Sequence, residues 1–151
     1  MSLAKLNVLL ADDDDDDCLF FKKALAGSSI STHLTTVSDG EHLMRLLKNE
    51  THELPDVLFL DLNMPRKNGF ECLSEIKLDD RLKLLAVIVF STSFEQEVVN
   101  QLYQNGAQYF LRKPSEISHY KEIIQQTLLM ITQATTAQPA RENFVITRQS
   151  P

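Results

Sequence analysis

A run of consecutive aspartates at residues 12–17 directly follows an apolar segment at residues 6–11. The apolar segment has the composition of a buried strand, so the first of these carboxylates stand at a strand end and not on a solvated tail. Neighbouring carboxylates raise one another's pKa unless a cation neutralises them, and ligation by oxygen atoms alone favours a hard ion such as Mg²⁺. The run therefore predicts a cation site beside a buried strand.

Short apolar segments alternate with longer amphipathic ones, which is typical of strands joined by crossover helices into a parallel sheet. The class expected is therefore α/β, with helices on both faces of the sheet. The predicted strands are 6–11, 33–37, 57–61, 86–91 and 109–112. The predicted helices are 15–26, 41–49, 69–78, 95–105 and 115–134.

The last part of the chain differs from the rest. Residues 5–134 are predicted to form one domain, whereas 135–151 lose helical periodicity. We expect a mobile tail there. The alternative is that Phe144, Val145 and Ile146 dock on an edge strand or on a partner protein. The tail is too short for an effector domain, so a stand-alone protein is expected.

Composition and charge exclude several classes of function. A net charge of -6 argues against a nucleic-acid surface and against an anionic membrane surface, because both need concentrated Lys and Arg. The longest uncharged apolar run, residues 84–90, is too short to span a bilayer. The two cysteines form no Cys-x-x-Cys pair, so reduced thiols and a cytoplasmic location are expected.

Polar side chains follow four of the predicted strands. Asp12 and Asp13 come after the first strand, Asp61 ends the third, Ser91 ends the fourth, and Lys113 follows the fifth. Ligands of parallel α/β sheets bind at the carboxyl ends of the strands, so these groups are expected to meet. Carboxylates, a hydroxyl and an ammonium in one place predict a site for a metal ion and a phosphoryl group.

Asp61 is the central member of this set. It follows a continuous apolar run and precedes a loop that contains Pro65 and Gly69, residues typical of a tight turn. A carboxylate in that position can attack a phosphoryl group and form an acyl phosphate. The alternative is that Asp61 only caps the next turn.

Several segments together resemble the receiver domain of two-component response regulators, over about residues 5–130. They are Asp61-Leu-Asn-Met-Pro-Arg-Lys-Asn-Gly-Phe70, Ser91-Thr92-Ser93, Gly106-Ala107 and Lys113-Pro114. The intervals between Asp61, Ser91 and Lys113 match those of the single-domain chemotaxis regulator. The first segment is also similar to receivers paired with bacterial phytochrome kinases. The resemblance implies a flavodoxin-like, doubly wound sheet in the order 2-1-3-4-5 with five helices.

The resemblance also implies a role for each acidic residue. Asp61 would accept a phosphoryl group from a histidine kinase or a histidine phosphotransfer protein, and the protein would catalyse only its own phosphorylation and dephosphorylation. Asp13 and Asp61 would bind Mg²⁺ through their carboxylates, Asn63 through its backbone carbonyl, and Asp12 through a bound water. The register is open by one residue, because Asp13 and Asp14 could replace Asp12 and Asp13 as the acidic pair.

The resemblance further implies a switch. Ser91 would hydrogen-bond the phosphoryl group, Lys113 would pair with it, and Phe110 would rotate inward into the space that Ser91 leaves. The bond between Lys113 and Pro114 would be cis. The face made by the fourth helix, the fifth strand and the fifth helix would then bind a downstream protein, or a second copy in a homodimer.

Two other functions compete with this hypothesis. An adaptor with the same fold but no phosphorylation is the first. The second is a phosphatase of the haloacid dehalogenase type, with Asp12 as nucleophile and Asp14 as acid, which leaves Asp61 unexplained. The remaining acidic residues, Asp15, Asp16 and Asp17, are expected to favour the start of the first helix, where the helix dipole attracts negative charge.

Overall fold

The computed structural model describes residues 5–92, 95–133 and 138–146. Its centre is a parallel sheet in the order β2-β1-β3-β4-β5-β6. The strands are β1 (Leu6–Ala11), β2 (Thr32–Val37), β3 (Val57–Leu60), β4 (Ala86–Ser91), β5 (Tyr109–Arg112) and β6 (Val145–Ile146). The predicted order of the first five strands is confirmed, and β6 extends the sheet beyond β5.

Within the described residues, five α-helices cover this sheet, as predicted. They are α1 (Asp15–Ala26), α2 (Gly40–Lys48), α3 (Gly69–Leu78), α4 (Gln96–Gln104) and α5 (Ile117–Gln133). Their ends lie within two residues of the predicted ends where the structure describes them, although residue 134 falls outside the described ranges. None of the helices in those ranges is both long enough and apolar enough to cross a membrane.

The helices divide the core into two layers, one on each face of the sheet. All four residues of β3 are buried. Leu58 and Leu60 pack in the layer beneath α2, α3 and α4, whereas Val57 and Phe59 pack in the layer beneath α1 and α5. A central strand buried on both faces reads as a continuous apolar run, which explains why the sequence pattern located it.

The aspartate run changes role at Asp14, the N-cap of α1. Its side chain accepts hydrogen bonds from the backbone N–H groups of Asp16 and Asp17, at 2.8 and 3.1 Å. Asp15, Asp16 and Asp17 form the acidic first turn of the helix, where the dipole favours negative charge. Their expected place at the helix start is confirmed.

Residues 138–146 are docked and do not form the mobile tail that we expected. The side-chain amide of Gln138 donates to the carbonyl oxygens of Tyr103 and Ala107, at 2.8 and 2.6 Å. Phe144 is fully buried, with its ring centroid 5.1 Å from that of Tyr103. The edge of β5 offers unpaired backbone groups, and Phe144 gains by leaving water, so docking prevails over mobility.

The structure therefore agrees with the alternative prediction, in which Phe144, Val145 and Ile146 dock on an edge strand. Val145 and Ile146 pair with Phe110 and Leu111 of β5. Residues 135–137 and 147–151 of the expected tail lie outside the described residues. The sheet thus ends at a two-residue strand and not at β5.

Candidate metal centre

The ends of three parallel strands bring the predicted side chains together. Asp12 follows β1, Asp61 follows β3 and Lys113 follows β5. The backbone ladder continues one residue past each strand: Asp12 N–H donates to Val37, Asp61 N–H to Ala11 and Lys113 N–H to Ser91, at 2.9–3.0 Å. Each functional residue is therefore anchored by its own backbone to the neighbouring strand.

Three carboxylates form a cluster at this edge. Asp12, Asp13 and Asp61 each offer an oxygen, and these oxygens lie within 4.8 Å of one another. Asp12 and Asp61 are buried, with 1% and 5% of their surface exposed, whereas Asp13 faces solvent. Two buried carboxylates and one exposed carboxylate suit a hard divalent cation that keeps part of its water shell.

One buried oxygen supports the fit of a cation in this cluster. Asp12 Oδ2 lies 2.8 Å from the Lys113 ammonium, but it accepts no well-directed hydrogen bond from the described residues. A buried carboxylate oxygen is rarely left without such a partner. A metal-bound water would supply the missing donor, so the residues present fit a divalent metal.

Burial also leaves the cluster in need of positive charge. Loss of contact with water raises the pKa of Asp61 to about 6, the Lys113 charge opposes this shift, and the negative charge of Asp12 adds to it. Burial likewise raises the pKa of Asp12, against the nearby Lys113 ammonium and a hydrogen bond from the Asp14 N–H. A cation would favour the ionised form of both carboxylates.

Lys113 supplies part of that positive charge. Its side chain is 5% exposed, and its Nζ lies 2.8 Å from Asp12, 2.8 Å from Asp17 and 3.5 Å from Asp61. Burial lowers the pKa of Lys113, but these carboxylates outweigh it and hold the pKa above its ordinary value. The ammonium therefore stays charged among three carboxylates, nearer to Asp12 and Asp17 than to Asp61.

Asp17 is the member of the site that the sequence did not reveal. One of its oxygens accepts from Lys113 and the other from the hydroxyl of Tyr120, at 2.8 and 2.9 Å. A signal was present, because Asp17 lies four positions before the fully buried Phe21 on the inward face of α1. The uniform aspartate run concealed this face.

The loop after Asp61 holds Asn63 close to the cluster. The Asn63 N–H donates a long hydrogen bond of 3.5 Å to Asp61 Oδ1. Gly69 closes the loop by donating from its N–H to the Leu62 carbonyl at 2.9 Å. A Cβ at Gly69 would lie 2.4 Å from the Asp61 carbonyl oxygen, so only glycine allows this close approach. The expected tight loop is present.

Asp14 lies apart from the cluster because it caps α1. Its carboxylate accepts from backbone N–H groups of the first turn. The pairing of Asp13 with Asp14 that the sequence left open is therefore not the arrangement seen. The phosphatase alternative, which needs Asp14 as an acid beside Asp12, loses its acid for the same reason.

Phe110 is fully buried in the same core layer as Phe144, and β6 pairs directly with it. Its rotation on phosphorylation stays a prediction. One implication of the resemblance needs correction. The peptide bond between Lys113 and Pro114 is trans, the more stable form of such bonds. Ser91, the last residue of β4, is fully buried as well.

Comparison with known proteins gives a family match over most of the chain. Residues 8–125 match the family profile described as the response regulator receiver domain. The chain is 30% identical over 122 residues to response regulator Rcp1 of Synechocystis sp., covering 78% of this chain and 83% of that protein. It is 33% identical over 96 residues to the probable C4-dicarboxylate response regulator DctR of Bacillus subtilis, but that match spans only 40% of DctR.

Solved structures give the same result. The phosphorylated cyanobacterial phytochrome response regulator RcpA superimposes with a TM-score of 0.81 at 31% identity, covering 87% of this chain and 98% of RcpA. The Mn²⁺-bound form of Rcp1 superimposes with a TM-score of 0.77 at 29% identity, covering 89% of this chain and 99% of that one. Both the fold and the sequence therefore point to one family.

Proposed function

Because the chain belongs to the response regulator receiver domain family, we propose that it works as a stand-alone receiver that accepts a phosphoryl group on Asp61. Receiver domains take this group from histidine kinases. The observation that carries the proposal is the meeting of Asp12, Asp13 and Asp61 with Lys113 at one edge of the sheet. An adaptor does not need that combination, and the phosphatase alternative needs Asp14 as its acid, whereas Asp14 caps α1.

The metal of this proposal is Mg²⁺. Asp13 and Asp61 would bind it through carboxylates, Asn63 through its backbone carbonyl, and Asp12 through a water. The buried Asp12 oxygen that lacks a directed hydrogen bond supports this last role. When bound, the ion supplies charge neutralisation between the acidic side chains and the incoming phosphoryl oxygens.

The protein's own groups carry the transfer. An ionised Asp61 oxygen attacks phosphorus, a bond from oxygen to phosphorus forms, and the bond from phosphorus to the donor's histidine nitrogen breaks. Lys113 pairs with the phosphoryl oxygens and Ser91 donates its hydroxyl to them, which stabilises the product. Attack by water later releases phosphate. The protein thus catalyses only its own phosphorylation and dephosphorylation.

The partner proposed upstream is a phytochrome-type histidine kinase, directly or through a histidine phosphotransfer protein. The support is the similarity to Rcp1 and RcpA, the second of which is described as a phytochrome response regulator. The same partner would place the protein in the cytoplasm, where kinases that use ATP find their substrates.

The output surface proposed is the face formed by α4, β5 and α5, which would bind a downstream protein or a second copy in a homodimer. The docked segment 138–146 changes what this face presents, since β6 already pairs with the outer edge of β5. A partner would therefore meet α4, α5 and the outer side of the segment, with Ser91 and Phe110 as the switch residues beneath.

Phosphorylation with a small donor tests this function. Incubation with Mg²⁺ and acetyl phosphate is expected to add the mass of one phosphoryl group to the intact protein, and chelation of the metal is expected to prevent it. Asp61→Asn should abolish the mass change. Asp80→Asn is the matched control, because Asp80 lies on the surface with its side chain 99% exposed.

Three results would contradict the proposal. An unmodified wild-type protein would favour the adaptor alternative. Repeated hydrolysis of small phosphoesters that survives Asp61→Asn would favour the phosphatase alternative. Labelling that persists in Asp61→Asn without turnover would show that another residue is the acceptor.

A further inference from the structure

Asp17 joins Lys113 to helix α5 through a single carboxylate. Its Oδ2 accepts from the Lys113 ammonium at 2.8 Å, and its Oδ1 accepts from the Tyr120 hydroxyl at 2.9 Å. The Asp17 side chain is 21% exposed and that of Lys113 is 5% exposed. Three elements therefore meet at one partly buried acidic group: α1, the end of β5, and α5.

The three carboxylates around Lys113 lie at different distances from its ammonium nitrogen. Asp12 and Asp17 each lie 2.8 Å from Nζ, whereas Asp61 lies at 3.5 Å. The ammonium therefore lies nearer to Asp12 and Asp17 than to Asp61. Movement of the ammonium toward a phosphoryl group on Asp61 would weaken these two contacts, and Asp17 is the one of the two that plays no part in the metal cluster.

The position of Tyr120 makes it sensitive to a change in the contacts of Asp17. Its ring is buried between Phe20 and Phe90, with centroids 5.7 and 5.8 Å away. Phe90 also contacts the lysine, whose Nζ lies 5.5 Å from the ring centroid. A shift of Lys113 therefore alters both the hydrogen bond and the packing surface of Tyr120, and Tyr120 belongs to the helix that borders the proposed output face.

We infer that Asp17 is a positioning residue for Lys113 that competes with the phosphoryl group for the ammonium and couples its release to α5 through Tyr120. In the unphosphorylated protein the Asp17 carboxylate holds Lys113 away from Asp61. When phosphoryl oxygens draw the ammonium toward Asp61, Asp17 loses a partner and the Tyr120 hydroxyl rearranges. This inference rests on the proposed function, because the competing acceptor is a phosphoryl group on Asp61.

Titration with beryllofluoride in the presence of Mg²⁺, followed by amide proton and nitrogen chemical shifts, tests the competition. Asp17→Asn keeps the shape and the acceptor for Tyr120 but removes the charge that holds Lys113. We expect beryllofluoride to bind this variant about fivefold more tightly, since a charge-assisted hydrogen bond no longer opposes it. Asp16→Asn removes the same charge from the exposed side of the same turn and should stay within about twofold of wild type.

Tyr120→Phe tests the coupling to α5. The phenyl ring keeps the packing between Phe20 and Phe90 and loses only the hydrogen bond to Asp17. We expect beryllofluoride to bind this variant within about twofold of wild type, while the shift changes of residues 117–124 fall to less than half. Unfolding midpoints measured alongside show that each variant is folded.

The outcomes separate this inference from the proposed function. A wild-type protein without Mg²⁺-dependent shifts around Asp61 defeats the proposed function and the inference with it. If wild type responds, the inference alone is overturned by an Asp17→Asn variant that binds as Asp16→Asn does, or more weakly. A Tyr120→Phe variant with wild-type shift changes in α5 also overturns it.

Discussion

The acidic site and the docked segment 138–146 belong to the same sheet but are built in opposite ways. The site gathers buried charges at the ends of β1, β3 and β5, where Lys113 offsets part of the negative charge of Asp12 and Asp61. The segment covers the edge of β5 with apolar side chains and backbone pairing, and Phe144 is its buried anchor. The ionisable side chains therefore lie at the ends of the strands, whereas the apolar and backbone contacts lie along the outer edge of β5.

The contrast shows why one region was visible in the sequence and the other was not. Asp12, Asp61 and Lys113 each directly follow a strand that an apolar run reveals, so local pattern is enough to locate them. The docked strand has only two residues and depends on a distant pair, Phe110 with Val145. Local pattern cannot choose between docking and mobility for so short a segment.

The largest effect is expected from removing the ammonium group of Lys113. Lys113→Met leaves the carboxylates of Asp12, Asp17 and Asp61 without their shared ammonium. Loss of one partner from a buried ion pair costs about 4 kcal/mol, so the free energy of unfolding should fall by roughly that amount in a chelator. Mg²⁺ should restore much of it, which urea unfolding with and without the metal would show.

Lys83→Met is the control for the loss of a lysine charge. Lys83 pairs on the surface with Asp80 at 3.3 Å, with half of its side chain exposed, so its loss should change stability by less than about 0.5 kcal/mol. Equal destabilisation of Lys113→Met in chelator and in Mg²⁺ would contradict the picture of a site held together by charge balance.

The next effect concerns the docked segment. Phe144→Ala removes its buried ring and should lower the free energy of unfolding by about 3 kcal/mol, or by the whole docking free energy if that is smaller. The Phe110 N–H, which donates to the Phe144 carbonyl at 3.0 Å, should then exchange with solvent faster. Urea unfolding and hydrogen exchange measure the two effects.

Ile117→Ala is the matched control for apolar loss, because Ile117 is 58% exposed. It should change stability by less than about 0.5 kcal/mol and leave the exchange of Phe110 unchanged. An unaltered Phe110 exchange rate in Phe144→Ala would show that the segment does not depend on its aromatic anchor.

The smallest effect is the dependence of stability on pH in the absence of metal. The pKa of Asp61 is raised to about 6 in the folded protein, against about 3.9 in an unfolded chain. The folded state therefore keeps a proton that the unfolded chain has lost, so stability falls as the pH rises from about 4 to about 6, by about 2 kcal/mol. Asp12 acts in the same direction.

Asp61→Asn should remove most of this loss and make the metal-free protein more stable than wild type at pH 7. Asp80→Asn should follow the wild-type profile. Urea unfolding in a chelator at several pH values gives the comparison, and parallel profiles for Asp61→Asn and wild type would contradict the raised pKa.

Several features were predictable from the sequence for physical reasons. Strands buried on both faces must be continuously apolar, and three of the five predicted strands show that pattern. Parallel strands place their carboxyl ends at one edge, so Asp12, Asp13, Asp61 and Lys113 were expected to meet, and they do. The helix-favouring role of Asp15 and Asp16 followed from the dipole of α1.

Other features depended on contacts between distant parts of the chain. Within the uniform aspartate run, residue type alone does not distinguish Asp14 as a cap from Asp17 as a partner of Lys113 and Tyr120. That distinction arises only when α1 packs against α5 and each carboxylate meets different donors. The docking of Phe144 likewise required the assembled edge of β5. Local sequence encodes which groups a strand or helix carries, but the pairing of those groups is set by the three-dimensional packing.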